Sequence, residues 1–178
     1  MILIKLIFKT INLISYFYSK WEKKYYKLRI KETCISYMEP LNVNAQKSFV
    51  THKTKLGKNV NFNGMKMYGE GKIVIVNNFH SGKNCSILTS FHNYESTSIP
   101  YDTTYIHKNV IIEDNVWLGE AVMILGGVTI GEGVIIQAGS VVVNNIPKYS
   151  IAGGHPAKVF KKRNLNRYLK LKIEGKFH

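Results

Sequence analysis

The sequence predicts an all-β repeat protein, a parallel β-helix built from hexapeptides, with a helical segment at each end. The first observation is a regular spacing, because an aliphatic residue returns every sixth position at Ile106, Ile112, Leu118, Ile124, Ile130, Ile136 and Val142. This period fits neither the turn of an α-helix, roughly 3.6 residues, nor the two-residue alternation of a simple sheet. It fits a coil whose short strands meet at turns and stack on the next coil.

The residues between these positions support the same fold. Four residues after each aliphatic position comes a second small or aliphatic residue: Val110, Val116, Val122, Val128, Val134, Ser140 and Ile146. The remaining positions are rich in Gly, Asn, Asp and Glu, as in "GEG", which favour turns. Upstream the spacing continues less regularly, through Leu56, Phe62 and Tyr68 and then, after a slip of one residue, Ile75, Ser81 and Ile87. We therefore expect the coil to cover residues 56–147, in about five three-sided turns.

The two ends of the chain lack this spacing. Residues 1–55 are predicted to form an apolar and basic helical segment, in which Lys5 and Lys9 interrupt the apolar stretch. The stretch is therefore shorter than the roughly 18 apolar residues of a membrane-spanning helix. We expect its apolar side to pack on the β-helix, and the alternative is peripheral contact with a membrane. Residues 151–178 are predicted to turn and then form a basic helix from Ala157 that caps the last coil.

The charge distribution narrows the classes of partner. The formal net charge of +14 is concentrated in the two end segments, whereas residues 56–155 are nearly neutral. A nucleic-acid-binding domain usually carries its basic surface on the folded body, so we expect no nucleic-acid partner. Basic ends suit a phosphate-bearing cofactor, an acidic glycan or an anionic membrane surface. Cys34 and Cys85 lack metal-site spacing, so we expect no metal and a cytoplasmic protein, with the inner face of the membrane as a further location.

The regular spacing breaks in one passage, "ILTSFHNYESTSIPYDTTYI", at residues 87–106. We predict that a loop of residues 93–105 leaves the coil immediately after His92. Pro100 and several Ser and Thr residues in this passage disfavour strand pairing. Loops on rigid scaffolds often carry function, so this break is the candidate site within a β-helix domain of residues 56–150.

The stretch "NVWLGEAVMILGGVTIGEGVIIQAGSVVVNNIPKYSIAGGHPAKVFKKR", with a histidine twenty-five residues ahead of Trp117, resembles the hexapeptide-repeat acyltransferases of left-handed β-helix fold. The most similar branch is that of the bacterial sugar O-acetyltransferases, which includes the maltose, galactoside and polysialic-acid enzymes. The resemblance covers about residues 56–163. It implies a homotrimer that binds acetyl-CoA between adjacent coils at its subunit boundaries, and a role in polysaccharide biosynthesis.

The resemblance also implies roles for individual residues. His92 occupies the position of the family's general base, and we expect Glu95 to orient its imidazole or to contact the acceptor. The acetyl-CoA groove is implied to contain Trp117, Gly119, Glu120, Ala138, Val143, Lys158 and Lys161. By their positions, His80, Tyr94 and Tyr101 are candidates for acceptor binding, because aromatic rings on loops can stack on a sugar. The alternative for each of these residues is an ordinary structural or solvated side chain.

These residues predict a reaction. A sugar hydroxyl is a weak nucleophile, and histidine is the natural base to take its proton. We therefore expect an acetyl-CoA-dependent O-acetyltransferase that acts on a hydroxyl of a cell-surface glycan or glycolipid, such as capsule, lipopolysaccharide or a precursor. Within this fold the alternatives are a sugar N-acetyltransferase and an antibiotic acetyltransferase. Outside acyl transfer they are a γ-class carbonic anhydrase, with zinc on His80, His92 and His107, and a non-catalytic scaffold.

Overall fold

The computed structural model describes residues 2–44 and 47–178, so Met1 and residues 45–46 of the predicted N-terminal segment lie outside the described residues. Two helices, α1 (Ile2–Thr33) and α2 (Leu165–Ile173), flank a series of short strands. The strands are β1 (Leu41–Val43), β2 (Thr54–Leu56), β3 (Val60–Asn63), β4 (Lys66–Tyr68), β5 (Ile73–Ile75), β6 (His80–Lys83), β7 (Ser86–Leu88), β8 (Ser90–His92), β9 (Tyr105–His107), β10 (Val110–Ile112), β11 (Trp117–Leu118), β12 (Met123–Leu125), β13 (Thr129–Ile130), β14 (Ile135–Ile136), β15 (Val141–Val142), β16 (Ser150–Gly154) and β17 (Ala157–Lys162).

The strands stack in three sheets that form the faces of a coil. Face A has the order β13-β10-β5-β2, face B has β1-β3-β6-β11-β14-β16-β17, and face C has β15-β12-β7-β4. Each turn passes through faces A, B and C, and the chain makes about six turns. Successive turns pair in parallel, so the backbone groups of each turn bond to the turns above and below it. The predicted left-handed β-helix of hexapeptide repeats is confirmed.

The inward residues of each face form a column of buried side chains. On face C, Ile87, Ile124 and Val142 stand in register and are all fully buried. The same holds on the other faces, where Ile112 stacks on Ile130 and Leu118 on Ile136. Burying one such side chain contributes about 1.5–3 kcal/mol, so the columns account for much of the stability of the coil.

Two of the predicted inward positions are wrong. Tyr68 is 44% exposed, and Met67 takes its place in the column opposite Ile87. The spacing is therefore irregular on both sides of β4, because Met67 follows Phe62 by one residue fewer than the regular six and precedes Ile75 by two residues more. Ile106 also lies outside the column, because it belongs to β9, which pairs antiparallel with β8 away from the coil.

The coil begins one turn earlier than the predicted start at residue 56. Ser36 forms a bridge with Lys55, and β1 pairs in parallel with β3. Leu41 and Val43 point inward and are buried in this first turn. The sequence of this turn carries too few aliphatic residues at six-residue spacing to be recognised as part of the repeat.

The predicted helix from Ala157 is also corrected. Residues Ala157–Lys162 form strand β17, which pairs antiparallel with β16, and the helix α2 begins only at Leu165. The physical reason is the open edge of the last turn, whose unpaired backbone groups β17 satisfies. Asn164 caps α2, because its side-chain oxygen accepts a hydrogen bond from the Arg167 N–H at 3.0 Å.

A buried carboxylate ties α2 to the coil. Glu132, between β13 and β14, accepts hydrogen bonds from the Tyr168 hydroxyl at 2.9 Å and from the Lys172 ammonium group. The Tyr168 hydroxyl in turn accepts one from Asn115 Nδ2 at 2.8 Å. Burial alone would raise the pKa of Glu132, but the bonds from Lys172 and Tyr168 outweigh it and hold the pKa below its ordinary value. The carboxylate is therefore charged and bonded in the folded protein.

Replacing Tyr168 with Phe tests this anchor. We expect Tyr168→Phe to lower the free energy of unfolding by about 1.5–3 kcal/mol, because the buried Glu132 carboxylate loses a hydrogen-bond donor. Tyr149→Phe is the matched control, since the Tyr149 hydroxyl lies 3.4 Å from Glu132 and its loss should cost less. Denaturant unfolding followed by circular dichroism measures both variants. Equal losses in the two variants would argue against the anchor.

The difference in unfolding free energy between the wild type and Tyr168→Phe should depend on pH. Because folding lowers the pKa of Glu132, the folded carboxyl binds its proton less readily than the unfolded one. Its contribution to stability is complete well above the ordinary value of 4.5 and is lost as the pH falls below that value. The stability difference between the wild type and Tyr168→Phe should therefore shrink in acid.

Among the described residues, helix α1 contacts the coil only through its last turns. Ile30 is buried against the first turn, and Tyr26 packs against the same cluster. Closer to the start of the helix, Ile4, Phe8 and Trp21 are 60%, 61% and 57% exposed. The expectation that the apolar side packs on the β-helix is therefore wrong for most of α1, which contains no Gly or Pro to bend it back. No helix among the described residues has the length and apolar character needed to cross a bilayer.

Candidate active site

Strands β8 and β9 form an arm that leaves the coil at the corner between face C and face A. At its base the Lys108 N–H donates to the Thr89 carbonyl at 2.9 Å, which closes the coil beneath the arm. The Ser90 hydroxyl accepts from the Glu70 N–H at 2.8 Å and bonds to His107 Nδ1 at 2.7 Å. The chain thus leaves the coil after Thr89, three residues earlier than predicted, and His92 lies on the arm itself.

Ring stacking, rather than hydrogen bonding, holds His92. Its ring centroid lies 3.8 Å from that of Tyr101, with the planes 14° apart, and 4.5 Å from that of Tyr105. His92 Nδ1 is buried and has no hydrogen-bond partner among the described residues. Buried polar atoms are normally hydrogen-bonded, so this nitrogen, unpaired among the described residues, marks His92 as a candidate functional residue. The role of Tyr105 could not be predicted from the sequence, because the antiparallel pairing that sets it opposite His92 is not visible in the six-residue spacing.

The other candidates on the arm lie farther along it. Glu95 is exposed, and no hydrogen bond joins it to His92 in the part of the chain that the structure describes. Tyr94 is 73% exposed, so its ring is open to a ligand. Asp102 accepts hydrogen bonds from the Thr104 hydroxyl at 2.5 Å and the Thr104 N–H at 2.7 Å, which lower its pKa. These bonds fix the end of the arm.

Three of the residues expected at acetyl-CoA lie together at the corner between faces B and C. Gly119 and Glu120 follow β11, Ala138 follows β14, and the Gly139 N–H donates to the Glu120 carbonyl at 2.8 Å. The two turns stack so closely here that a Cβ on Gly119 would lie 2.5 Å from the Ala138 nitrogen. Packing alone therefore requires a glycine at this position. Glu120 and Ala138 remain exposed along the corner.

The remaining cofactor candidates lie elsewhere. Val143 follows β15 at the corner between faces C and A, from which the arm also leaves. Trp117 lies on face B and is 54% exposed. Lys158 and Lys161 are exposed on β17, at the end of the same sheet. One chain therefore does not bring all seven residues to one place.

A cleft of about 650 Å³ separates face B from α2. His80 and Trp117 lie side by side in it, because they pair in register. His80 Nε2 lies 3.2 Å from Asn61 Nδ2 and 3.2 Å from the His178 carbonyl oxygen, and burial lowers the pKa of His80. The structure thus places His80 on face B, apart from Tyr101 and the rest of the arm.

The buried thiol near this region is not a suitable nucleophile. Cys85 is fully buried, and its Sγ lies 3.1 Å from the Gly119 carbonyl oxygen. Burial raises the pKa of this thiol. Because the thiolate is the reactive form of cysteine, a buried thiol with a raised pKa is a poor acyl carrier.

Face C separates the arm from the corner that carries Gly119, Glu120 and Ala138. The arm leaves at the edge shared with face A, whereas these three residues lie at the edge shared with face B. The side-chain hydrogen bonds of the arm are made within it or at its base, as at Ser90. Within one chain, His92 and the B–C corner therefore lie at opposite edges of a sheet.

The described side chains of one chain do not form the ligand set that the carbonic anhydrase alternative requires for zinc. Across residues 2–44 and 47–178, no group of three or more His, Cys, Asp or Glu side chains could hold a metal ion. His80 lies on face B, while His92 and His107 lie on the arm. A zinc enzyme needs three protein ligands that converge on the ion, and these three histidines do not converge.

The family profile described as bacterial transferase hexapeptide (six repeats) matches residues 104–144. No curated protein matches the chain. Among solved structures, a galactoside acetyltransferase in complex with coenzyme A is 26% identical, with a TM-score of 0.64, and the match covers 78% of this chain and 70% of that chain.

Two further structures have the same fold. A hexapeptide-repeat-containing acetyltransferase from Vibrio cholerae, complexed with acetyl-coenzyme A, is 27% identical, with a TM-score of 0.52 and coverage of 74% of this chain and 68% of that chain. An N-acyltransferase from Bacillus cereus is 19% identical, with a TM-score of 0.64 and coverage of 82% and 91%, a likeness of fold alone. The matches confirm the predicted resemblance, because the chain is similar to hexapeptide-repeat acetyltransferases and shares their β-helix fold.

Proposed function

We propose that the protein is an O-acetyltransferase that moves the acetyl group of acetyl-CoA directly to a glycan hydroxyl, with His92 as general base. The observation that carries this proposal is the state of His92 on the arm. Its ring is fixed between Tyr101 and Tyr105, while Nδ1 is buried without a partner and no hydrogen bond to a described residue occupies Nε2. A base held in this way is oriented and still able to take a proton.

The reaction then needs no covalent intermediate. His92 takes the proton of the acceptor hydroxyl as its oxygen attacks the thioester carbonyl. The new C–O bond forms, the C–S bond breaks, and the proton passes from the imidazolium to the departing CoA sulfur. General base catalysis of this kind contributes about 10²–10⁴-fold to the rate. The buried state of Cys85 supports direct transfer, since no accessible thiol near the arm competes for the acetyl group.

Acetyl-CoA would bind along the corner between faces B and C. The backbone at Gly119 and the exposed side chains of Glu120 and Ala138 line this corner, and the small residues Gly119 and Ala138 leave room for an extended pantetheine arm. Lys158 and Lys161 lie near the end of the coil, where their charges would meet the CoA phosphates. The binding of coenzyme A by the galactoside acetyltransferase and of acetyl-coenzyme A by the Vibrio cholerae protein supports this cosubstrate.

A homotrimer would complete the site. His92 and the B–C corner lie at opposite edges of face C, so one chain cannot bring the base to the thioester. In a ring of three chains, the arm of one subunit would meet the B–C corner of the next. Such a meeting would also offer His92 Nδ1 the partner that a single chain lacks.

The acceptor we propose is a surface glycan or its lipid-linked precursor. Tyr101 stacks on the base and Tyr94 is open on the arm, so a sugar ring could lie against them. The similarity to the galactoside acetyltransferase supports a saccharide acceptor. Peripheral contact of α1 with a membrane is part of this proposal, because a lipid-linked acceptor would be met at a bilayer surface.

Labelled acetyl-CoA identifies the acceptor class. The protein would be incubated with anionic glycans, neutral glycans, amino sugars and a chloramphenicol-like drug, and the label followed onto each. We expect labelled glycan whose acetyl group is released by mild alkali, as an ester is and an amide is not. Label found only on amino groups would favour the N-acyltransferase alternative, and label only on the drug would contradict a glycan acceptor.

A further inference from the structure

We infer that helix α1 docks with its apolar side on the surface of an anionic lipid bilayer. This inference makes the membrane contact of the proposed function specific. It rests on the surface of α1, and its test involves no acyl transfer, so the two can fail separately.

The two sides of α1 differ in character. At about 3.6 residues per turn, five of its seven lysines gather on one side of the helix. These are Lys5, Lys9, Lys20, Lys23 and Lys27. The opposite side is apolar or aromatic and carries Ile4, Ile7, Ile11, Ile14, Tyr18 and Trp21. Each of these six side chains is at least half exposed, and none of the described residues of the coil covers them. A helix with one lysine-rich side and one apolar side is typical of helices that lie in a membrane interface.

The charge of α1 favours anionic lipid. From Ile2 to Trp21 the helix has no acidic residue, and Glu22 is the first. The lysines of this part therefore have no intrahelical carboxylate to neutralise them. Each lysine near an anionic surface contributes about 1 kcal/mol to binding, a factor of about five.

Aromatic residues in the middle of α1 suit the level of the lipid headgroups. The rings of Trp21 and Tyr25 stack with their centroids 5.2 Å apart, and Tyr18 lies 5.9 Å from Trp21. Tyrosine and tryptophan join an apolar ring to a polar group, which is why both favour surfaces that are apolar on one side and wet on the other. The basic stretch from Lys23 onward would then lie beside the headgroups.

A second copy of α1 is the competing occupant of the apolar side. Ile4, Ile7, Ile11 and Ile14 alternate in steps of three and four, the spacing of a coiled-coil seam. The flanking positions do not support one, however. In a parallel coiled coil with this seam, Lys24 of one helix would face Arg29 of the next, and like charges there repel. Phe8 and Phe17, 61% and 60% exposed, would lie beside the seam rather than in it, whereas a bilayer buries both.

Tryptophan fluorescence tests the inference, because Trp21 and Trp117 are the two tryptophans of the chain. In the full-length Trp117→Phe variant, Trp21 is the sole reporter. We expect its emission to move to shorter wavelength when vesicles of phosphatidylglycerol and phosphatidylcholine are added, and to stay unchanged with phosphatidylcholine alone. Raising the salt concentration should reverse part of the shift, since salt screens the lysines.

Lysine variants give the size of the effect. Replacing Lys5, Lys9 and Lys20 with Gln should lower the partition coefficient onto anionic vesicles about 100-fold, at a factor of about five for each lysine. The matched control replaces three exposed lysines of the coil with Gln, namely Lys55, Lys58 and Lys72. This variant should leave the partition coefficient onto anionic vesicles nearly unchanged. Circular dichroism confirms that the variants remain folded.

Three outcomes would overturn the inference. One is the absence of any shift with anionic vesicles, and another is equal binding to both kinds of vesicle. The third is a Trp21 emission that is already at short wavelength without lipid and moves to longer wavelength in Ile11→Ser/Ile14→Ser. That result would assign the apolar side of α1 to another copy of the chain.

Discussion

His92→Ala is expected to lower kcat for acetyl transfer by about 10²–10⁴-fold, the contribution of a positioned general base. The affinity for CoA should remain within a factor of about two, because the proposed CoA contacts are made by the B–C corner and by Lys158 and Lys161, which the variant leaves intact. The fold should also remain, since the ring is stacked on the arm rather than buried in the coil. Steady-state kinetics and calorimetric titration of CoA measure the two effects.

A second histidine provides the control for this result. His52 lies on the coil surface, 3.5 Å from Glu70, and has no place in the proposed site. His52→Ala should leave kcat unchanged. If His92→Ala kept more than about a tenth of the wild-type kcat, His92 would not be the general base, because even the smallest contribution of such a base is about 100-fold.

The regular part of the fold could be predicted from the sequence because its cause is local and repeated. From Ile112 to Val142 each inward residue meets its counterpart in the next turn, and the six-residue spacing records this directly. The spacing fails where a turn changes length. At β4 a turn that is one residue shorter brings Met67 inward in place of Tyr68. Both side chains are apolar enough to be buried, so the sequence alone does not show which of the two points inward.

Two other errors have a cause that lies outside the segment concerned. Val159 and Phe160 resemble one side of a helix, but the open edge of β16 draws these residues into strand β17. Likewise α1 has the apolar side of a packed helix, yet the coil ends at its last turns and offers nothing for Ile4 or Phe8 to contact. In both cases a neighbouring surface, present or missing, decides the outcome.

The candidate site could likewise be predicted only in part from the sequence. The break in the spacing correctly indicated an irregular segment near His92, because an interruption of the six-residue spacing is visible in the sequence, but the chain leaves the coil three residues earlier, after Thr89. The partners of His92 could not be predicted, since Tyr105 reaches it through antiparallel pairing within the arm. The sequence also gave no means of seeing that His92 and Ala138 lie at opposite edges of face C, because a linear spacing does not reveal the order of corners.

The separation of His92 from Ala138 within one chain predicts a second large effect, on the activity of a variant at the B–C corner. We expect Ala138→Trp to abolish activity, because an indole at the exposed B–C corner would block the proposed path of the pantetheine arm. His92 is intact in this variant, and Ala138 is intact in His92→Ala. If each active site takes His92 from one chain and the B–C corner from its neighbour, the two defects fall on different chains.

Co-expression of the two variants, each with its own affinity tag, tests this arrangement most directly. Mixed trimers would be purified through both tags and assayed for acetyl transfer to the glycan acceptor. Every three-membered ring that contains both variants has one junction in three at which an intact arm faces an intact corner, so activity should return to roughly one third of wild type. The double variant His92→Ala/Ala138→Trp, mixed with either single variant, should give none. Mixed trimers that stay inactive would show that one chain supplies both parts, and would contradict a site shared between subunits.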